Sequence, residues 1–217
     1  MADFAYKTAP WYSLEYTSIV VEEGIQYIGK YAFAYSDAQE ITLPNTLEKI
    51  APMAFNGSAL TSVNIPDSVK EIGFEAFNDC NLSSIKIPAG ISKIEGHVFS
   101  SNPIRELIIP ENMTEIDEYA FYCNGCWSTL SGHAMPLEKI YCSTSMLEAC
   151  KKAVSHFEHD VEIAEYQKYG DAYYFGGKFY KTANDIYGKN HIKKRIYTID
   201  EANRVAGQKN RVSIKYR

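Results

Sequence analysis

The chain contains no uninterrupted apolar run near the ~18 residues that a membrane-spanning helix needs. It also lacks a phosphate-binding glycine loop, a nucleophile motif of the form G-x-S-x-G and a zinc-protease motif of the form H-E-x-x-H. Residues 1–7 do not show the basic start and apolar stretch of a secretory signal peptide. We therefore expect no membrane span and no enzymatic activity. For the compartment three alternatives stay open: the chain is cytoplasmic, its leader was removed, or it leaves the cell by a route that needs no leader.

Tryptophan and cysteine are scarce, with 2 and 5 copies among 217 residues. The odd cysteine count leaves at least one thiol unpaired in a monomer, and we expect Cys80 to be that residue. The other bulk properties are those of a globular chain: 46% of residues are hydrophobic, 23% are charged and the net charge is −5. A chain of this length buries one continuous core with room for a small additional module.

A 22-residue repeat organises most of the sequence. Five phenylalanines keep that spacing: Phe33, Phe55, Phe77, Phe99 and Phe121. Other apolar columns share it, for example Ile28, Ile50, Ile72, Ile94 and Ile116. A fixed period in this range indicates stacked structural repeats that bury one shared core.

A short strand is predicted in every repeat. Apolar triplets such as Leu60, Val63 and Ile65 end in a period-2 alternation and are followed by a proline, here Pro66. Alternation of this kind is typical of a strand with one buried face. The sequence thus predicts an α/β repeat fold in which the strands of successive turns lie side by side.

The repeated motif resembles the BspA-type leucine-rich repeat. Residues 65–73 (IPDSVKEIG) and 75–80 (EAFNDC) are close to the family consensus, and residues 9–12 (APWY) resemble its entry segment. The resemblance covers residues 10–142 and implies a right-handed leucine-rich-repeat solenoid. It also implies a non-enzymatic recognition role, such as bacterial adhesion or host interaction at the cell surface, with a protein or glycan partner.

The strand positions that point away from the core predict a binding face. Its first repeats present small polar or charged groups, among them Asn64 and Lys86, whereas its last two present Ile108 and Tyr141. Apolar and aromatic groups inside a polar rim are typical of an interaction centre. With Trp127 from the neighbouring loop, these residues form our predicted binding site at the C-terminal end of the array.

The loop at 122–136 is eleven residues longer than the equivalent connection in earlier repeats, because Leu137 follows Phe121 by sixteen positions where Leu60 follows Phe55 by five (16 − 5 = 11). Insertions on a rigid scaffold often carry function. The alternative for Trp127 is a buried cap on the end of the solenoid.

Cysteine chemistry in this insertion has three interpretations. Cys123 and Cys126 form a C-x-x-C pair that, with His133 and Cys142, would give a tetrahedral zinc site with a structural role. The same pair would also suit a redox dithiol. The third interpretation, a disulfide or free thiols without a cofactor, is the one that we expect. His156 and His159 form a weaker candidate metal pair at the end of the next helix.

The last part of the chain differs in character. We predict a capping helix over 143–157 that completes a repeat domain at 1–157, followed by a small α+β module at 158–217. The module begins with two aromatic runs around Gly176 and Gly177, which predict a β-hairpin; stacking on sugars is one role for its rings. A helix ending near Ala206 and a strand over 211–217 complete it.

Positive charge is concentrated at the end of the chain. Residues 186–217 contain nine Lys or Arg and two acids, a balance of +7 that leaves −12 for the rest (−5 − 7 = −12). Such a segment suits an anionic partner or docking on the acidic array. Because no nucleic-acid-binding motif accompanies it, we do not expect a nucleic-acid partner.

Overall fold

The computed structural model describes residues 1–12, 14, 16–124, 137–157, 159–169, 172–175 and 178–180. Its strands are β1 (Ser18–Val20), β2 (Tyr27–Ile28), β3 (Glu40–Thr42), β4 (Lys49–Ile50), β5 (Ser62–Val63), β6 (Glu71–Ile72), β7 (Lys93–Ile94), β8 (Glu106–Ile108), β9 (Glu115–Ile116), β10 (Lys139–Ser143), β11 (Glu162–Tyr169), β12 (Ala172–Phe175) and β13 (Lys178–Tyr180). One helix, α1 (Leu147–Val154), follows a 3-10 turn at Thr144–Met146.

The strands up to β11 stack in parallel and form a solenoid of about six turns, as the repeat predicts. β1, β3 and β5 pair in sequence, with Ser18 opposite Glu40 and Glu40 opposite Ser62. The shorter strands β2, β4 and β6, and likewise β7 and β9, pair on a second face. Each pairing joins residues one repeat apart, so the 22-residue period of the sequence is the register of the sheets.

The phenylalanine column forms the centre of the core. Neighbouring rings stack with centroid distances of 5.0 Å (Phe55–Phe77) to 6.2 Å (Phe99–Phe121), and the planes are within 14° of parallel. At the N-terminal end, Trp11 stacks on Phe33 at 5.5 Å. The entry segment at 9–12 therefore covers the first turn of the core.

Alternation along the strands confirms the predicted inward and outward positions. In β3, Ile41 is buried between the exposed Glu40 and Thr42. The leucine and isoleucine columns on either side are also buried, including Leu47, Val69 and Ile94. We call the surface formed by the outward side chains of β1, β3, β5, β8 and β10 the strand face.

A buried polar column, which was not predicted from the sequence, runs beside the phenylalanines. Its members are 22 residues apart: Ser36, Ser58, Cys80, Asn102 and Asn124. Asn102 donates from Nδ2 to the carbonyl oxygens of Phe77, Phe99 and Ser100, and its Oδ1 accepts from the backbone N–H of Leu82. Cys80, Asn102 and Asn124 thus satisfy backbone carbonyl groups of the turns, whereas the Ser58 hydroxyl contacts the Cys80 sulfur.

The C-terminal end departs from the predicted boundaries. The helix is shorter than predicted, since α1 ends at Val154. The sheet does not end at β10, where the pattern placed the last strand of the array: β11 pairs with β10 in parallel over five residues. The hairpin prediction is confirmed, because β12 and β13 pair in antiparallel fashion and β12 pairs with β11.

Two predictions about domain organisation lie beyond these observations. The division of the chain at 157/158 stays a prediction. The helix near Ala206 and the strand over 211–217 lie outside the described residues.

Candidate binding faces

Apart from Val20, which is 72% exposed, the strand face is polar over its first four turns. Asn64 and Lys86 are exposed there, as predicted, together with Ser62 and Ser84. Lys86 makes an ion pair with Asp67 at 3.1 Å, and Asp67 also accepts a hydrogen bond from the backbone of Ala89. This backbone contact and Lys86 lower the pKa of the Asp67 carboxyl, although burial opposes them. The face thus offers hydroxyl, amide and paired charged groups.

The last turns of this face differ from the prediction. Ile108 and Tyr141 are 6% and 7% exposed, so our expectation that they form an open apolar patch is wrong. The reason is that the sheet continues: β11 places Ala164 beside Tyr141. Tyr166 is buried as well, and its hydroxyl donates to the carbonyl oxygen of Ile109 at 2.8 Å.

The predicted zinc ligands are only partly visible. Cys126, His133 and also Trp127 lie outside the described residues. Cys123 is disulfide-bonded, and Cys142 is a free, buried thiol hydrogen-bonded to Cys150. The zinc site stays a prediction, and it would require the disulfide at Cys123 to be reduced first.

Histidine geometry gives no support to the second metal pair. His159 Nε2 contacts the carbonyl oxygen of Leu137 at 2.8 Å, while the His156 ring packs on Tyr119 and Tyr122. Within the described residues, no group of three His, Cys, Asp or Glu side chains is arranged to hold a metal ion.

A third face of the solenoid carries exposed aromatic rings. It consists of the turns that follow the second strand of each repeat, and we call it the turn face. Near its C-terminal end the side chains of Phe74, His97, Tyr119, Tyr122 and His156 form a continuous cluster, which we call the aromatic strip. Phe74, Tyr119 and Tyr122 are 41%, 43% and 41% exposed.

The rings of the aromatic strip support one another. His97 stacks on Tyr119 at 5.6 Å and 12°, and meets the edges of Phe74 and Tyr122 at 5.7 and 5.8 Å. His156 lies 5.3 Å from Tyr119 and 5.2 Å from Tyr122. Aromatic pairs at these separations attract each other beyond simple burial, so the strip is a preformed surface.

Hydrogen bonding fixes the first histidine. His97 Nδ1 lies 3.2 Å from the Ser100 hydroxyl, which donates to the carbonyl oxygen of Tyr119 at 3.0 Å. Because the hydroxyl proton is used on that carbonyl, we assign the hydrogen of the imidazole to Nδ1. The other nitrogen, Nε2, is then an acceptor.

The second histidine of the strip, His156, lies just after α1. We call residues 155–157 the capping segment. The Nε2 atom of His156 is buried and has no hydrogen-bond partner among the residues that the structure describes. Burial lowers the pKa of His156, the charge of Glu118 opposes this shift and His97 adds to it. An ion pair at 3.2 Å between Glu118 and Lys152 of α1 lies at the rim.

A second aromatic group lies at the opposite end of the turn face. Tyr6 packs edge-on against Tyr31 and Tyr35 at 5.9 and 5.3 Å. The ammonium of Lys7 lies 5.2 Å from the centroid of Tyr6. Aromatic groups with polar rims therefore mark both ends of this face.

The aromatic strip was not predicted from the sequence because its residues do not share a chemical type. The column immediately before each core Ala-Phe or Val-Phe pair reads Tyr31, Met53, Glu75, His97 and Tyr119. Hydrophobic periodicity does not distinguish such a column from solvated turn residues. A signal was present in the recurrence of large side chains at this position.

Flat ring faces, imidazole nitrogens and a charged rim are the chemistry of non-covalent recognition.

Among the described residues, none of the helices has the length and hydropathy to span a membrane.

Comparison with known proteins agrees with this geometry. The family described as BspA type leucine rich repeat region matches residues 9–126 and 48–151, in six copies. No curated protein matches the chain.

Two solved structures share the fold. A leucine-rich repeat protein from Eubacterium ventriosum is 25% identical with a TM-score of 0.55, over 66% of this chain and 38% of that one. The pneumococcal vaccine antigen PcpA is 24% identical with a TM-score of 0.51, over 68% of this chain and 35% of that one. The chain thus spans little more than a third of the length of each of these proteins.

Proposed function

Because the chain belongs to the BspA-type leucine-rich repeat family, whose repeats serve binding, we propose that it is a non-enzymatic recognition protein with a protein partner. The observation that carries this proposal is the aromatic strip on the turn face. It presents exposed rings with an ion pair at the rim, and residues of this kind dominate the binding energy of protein interfaces.

Rigidity favours the strip as the contact surface. A side chain that is already packed against its neighbours loses little conformational freedom on binding, so more of the contact energy appears as affinity. Tyr119 is held between His97 and His156, and backbone-bound Ser100 holds His97. A protein surface with apolar or aromatic side chains would bury these rings without reorganising them.

The strand face is the second candidate surface. Its exposed hydroxyl and amide groups, with Asn64 and Lys86 at the centre, favour a hydrogen-bonding partner such as a glycan. The inserted segment that contains Trp127 belongs to this proposal as well. In keeping with the family, we propose that recognition takes place at a bacterial cell surface and serves adhesion or host interaction.

Binding of the purified chain to arrays of extracellular proteins and of glycans tests both surfaces. We expect saturable binding to a protein, and loss of it in the double variant Phe74→Ala/Tyr122→Ala. The matched double variant Asn64→Ala/Lys86→Ala on the strand face should bind like the wild type. Melting curves identify variants that fail to fold, so that lost binding is read only from folded chains.

The outcomes separate the candidates. If the chain binds a glycan and only the strand-face variant loses that binding, the strand face and not the aromatic strip is the recognition surface. No saturable binding to either array, or equal binding by all folded variants, would contradict the proposal for both surfaces.

A further inference from the structure

Two buried thiols face each other where the capping helix meets the array. Cys142 lies on β10 and points inward with Ile140, because side chains two apart on a strand share a face. Cys150 lies on α1, on the buried side that it shares with Met146 and Ala153 at helical spacing. Both thiols are fully buried, free and hydrogen-bonded to each other.

The short connection brings them together. The chain leaves β10 at Ser143, reverses through the 3-10 turn and enters α1 at Leu147, so only seven residues separate the two cysteines (143 to 149). The helix packs on β9, β10 and β11, which fixes the side of α1 that faces the strand. Thiols that are fully buried on two elements packed against each other need little backbone movement to bond.

We propose that Cys142 and Cys150 form a disulfide that fastens α1 to β10 in oxidising surroundings. This disulfide is distinct from the one at Cys123. It would use the Cys142 thiol, which would then not be available as a ligand in the zinc site suggested by the sequence. The proposal does not depend on which face binds a partner.

The hydrogen bond between the thiols changes the pKa values of both. Donation from Cys150 lowers the pKa of the Cys142 thiol, while burial and the charge of Glu165 oppose that shift. The same hydrogen bond and burial raise the pKa of Cys150. Whichever thiol ionises reacts first, because the thiolate is the reactive form.

The oxidant is a small disulfide such as oxidised glutathione. One protein thiolate attacks one of its sulfurs, forms a mixed disulfide and releases one glutathione thiolate. The other protein thiolate then attacks the protein sulfur of that mixed disulfide and releases the second. Two protein thiols lose two electrons, the small disulfide gains them, and the two protons end on the released thiolates.

Access to the buried pair requires α1 to open. The helix has eight residues, and an isolated helix of this length is marginal in water, so its docking alone holds it. Helices at the end of an array open without global unfolding. Reaction through such openings makes the disulfide form slowly but leaves its equilibrium unchanged.

Cys80 provides an internal control. It is equally buried, but its sulfur contacts the Ser58 hydroxyl at 3.3 Å and the carbonyl oxygen of Phe55 at 3.2 Å. Burial raises the pKa of this thiol to about 12, and the hydrogen bond from Ser58 opposes the shift. We expect Cys80 to stay reduced wherever the pair oxidises.

Trypsin separates the three groups of cysteines. Cleavage after Lys and Arg places Cys142 and Cys150 together in peptide 140–151, Cys80 in 71–86, and Cys123 with Cys126 in 106–139. The full chain is equilibrated in glutathione buffers of stepped redox potential, alkylated in denaturant, digested and analysed by mass spectrometry. Equilibrium is approached both from reduced native protein and from protein refolded out of denaturant in the oxidising buffer.

We expect peptide 140–151 to lose both alkyl groups and two hydrogens in the oxidising buffers from either direction, while peptide 71–86 stays alkylated. The oxidised chain should melt about 5 to 10 °C higher, since closing a short loop restricts the unfolded chain. This gain should be absent in Cys150→Ala and retained in Cys80→Ala. A doubly alkylated or singly glutathionylated peptide 140–151 from both directions would overturn the proposal.

Discussion

Individual core residues act through columns that run the length of the molecule. Phe77 is fully buried between Phe55 and Phe99, at 5.0 and 5.8 Å, so its ring supports two neighbouring repeats as well as its own. The column was predictable from the sequence because one residue type recurs at one period. The stacked geometry follows from the register of the parallel strands.

Replacement of Phe77 by Ala is expected to lower the free energy of unfolding by about 3 to 5 kcal/mol, because the cavity lies at the centre of the stack. Urea denaturation followed by circular dichroism measures this change. Phe74→Ala, in which the ring is 41% exposed, is the control and should lose no more than about 1 kcal/mol. Equal losses in the two variants would mean that the phenylalanine column is not the core.

Asn102 is the position at which we test how much the buried polar column contributes to stability. Asn102→Ala removes four hydrogen bonds to buried backbone groups, and we expect a loss of roughly 2 to 4 kcal/mol, since unsatisfied buried groups are costly. Asn112 also donates to two backbone carbonyls, but it is exposed and water can replace it. Asn112→Ala should cost less than about 1 kcal/mol in the same urea titration, and a comparable cost would refute the role of the buried column.

At the scale of elements, the strands were predictable and their surroundings were not. The alternation that places Ile41 inward also shows correctly on which side of the sheet Ile108 and Tyr141 leave their strands. The alternation carries no information on what covers that side of the sheet. The position of β11 determines whether it is covered, and no local pattern encodes the pairing of strands separated by a helix.

The polar column and the aromatic strip were missed for a related reason. Ser58, Cys80 and Asn102 do the same structural work with different side chains, because each reaches a neighbouring backbone group or side chain. A search for apolar periodicity passes over them. Only the turn geometry shows that these positions are equivalent.

Docking of the capping segment should depend on pH through His156. Burial lowers its pKa in the folded chain, so the unfolded chain takes up the proton first as the pH falls. The stability that the neutral ring contributes is complete above the unfolded pKa of about 6.5 and is lost as the pH falls toward the lower folded pKa.

Melting temperatures between pH 7.5 and pH 5 test this dependence. The wild type should lose stability over that range, and His156→Phe, which keeps a ring against Tyr119 and Tyr122, should lose less. His159→Phe is the control, because that imidazole is exposed. Identical pH profiles for the wild type and His156→Phe would show that His156 does not control the docking.

The whole molecule is a scaffold whose faces have different chemistry. Ion pairs one repeat apart, such as Lys49–Glu71 at 2.7 Å and Lys70–Glu48 at 3.0 Å, join successive turns. They are exposed, so they contribute little stability individually. The strand face is polar apart from Val20, and the turn face concentrates exposed rings at its ends. This difference between faces points to recognition on the turn face.

The most direct test of this account is the dissociation constant of the array-selected protein partner for three chains, measured by biolayer interferometry. We predict that Phe74→Ala/Tyr122→Ala weakens binding by about 30-fold or more, the effect of losing a hot spot. Asn64→Ala/Lys86→Ala should stay within about 2-fold of the wild type, because rim and remote contacts contribute little. Equal affinity of the folded aromatic-strip variant and the wild type would contradict the claim that this strip is the recognition surface.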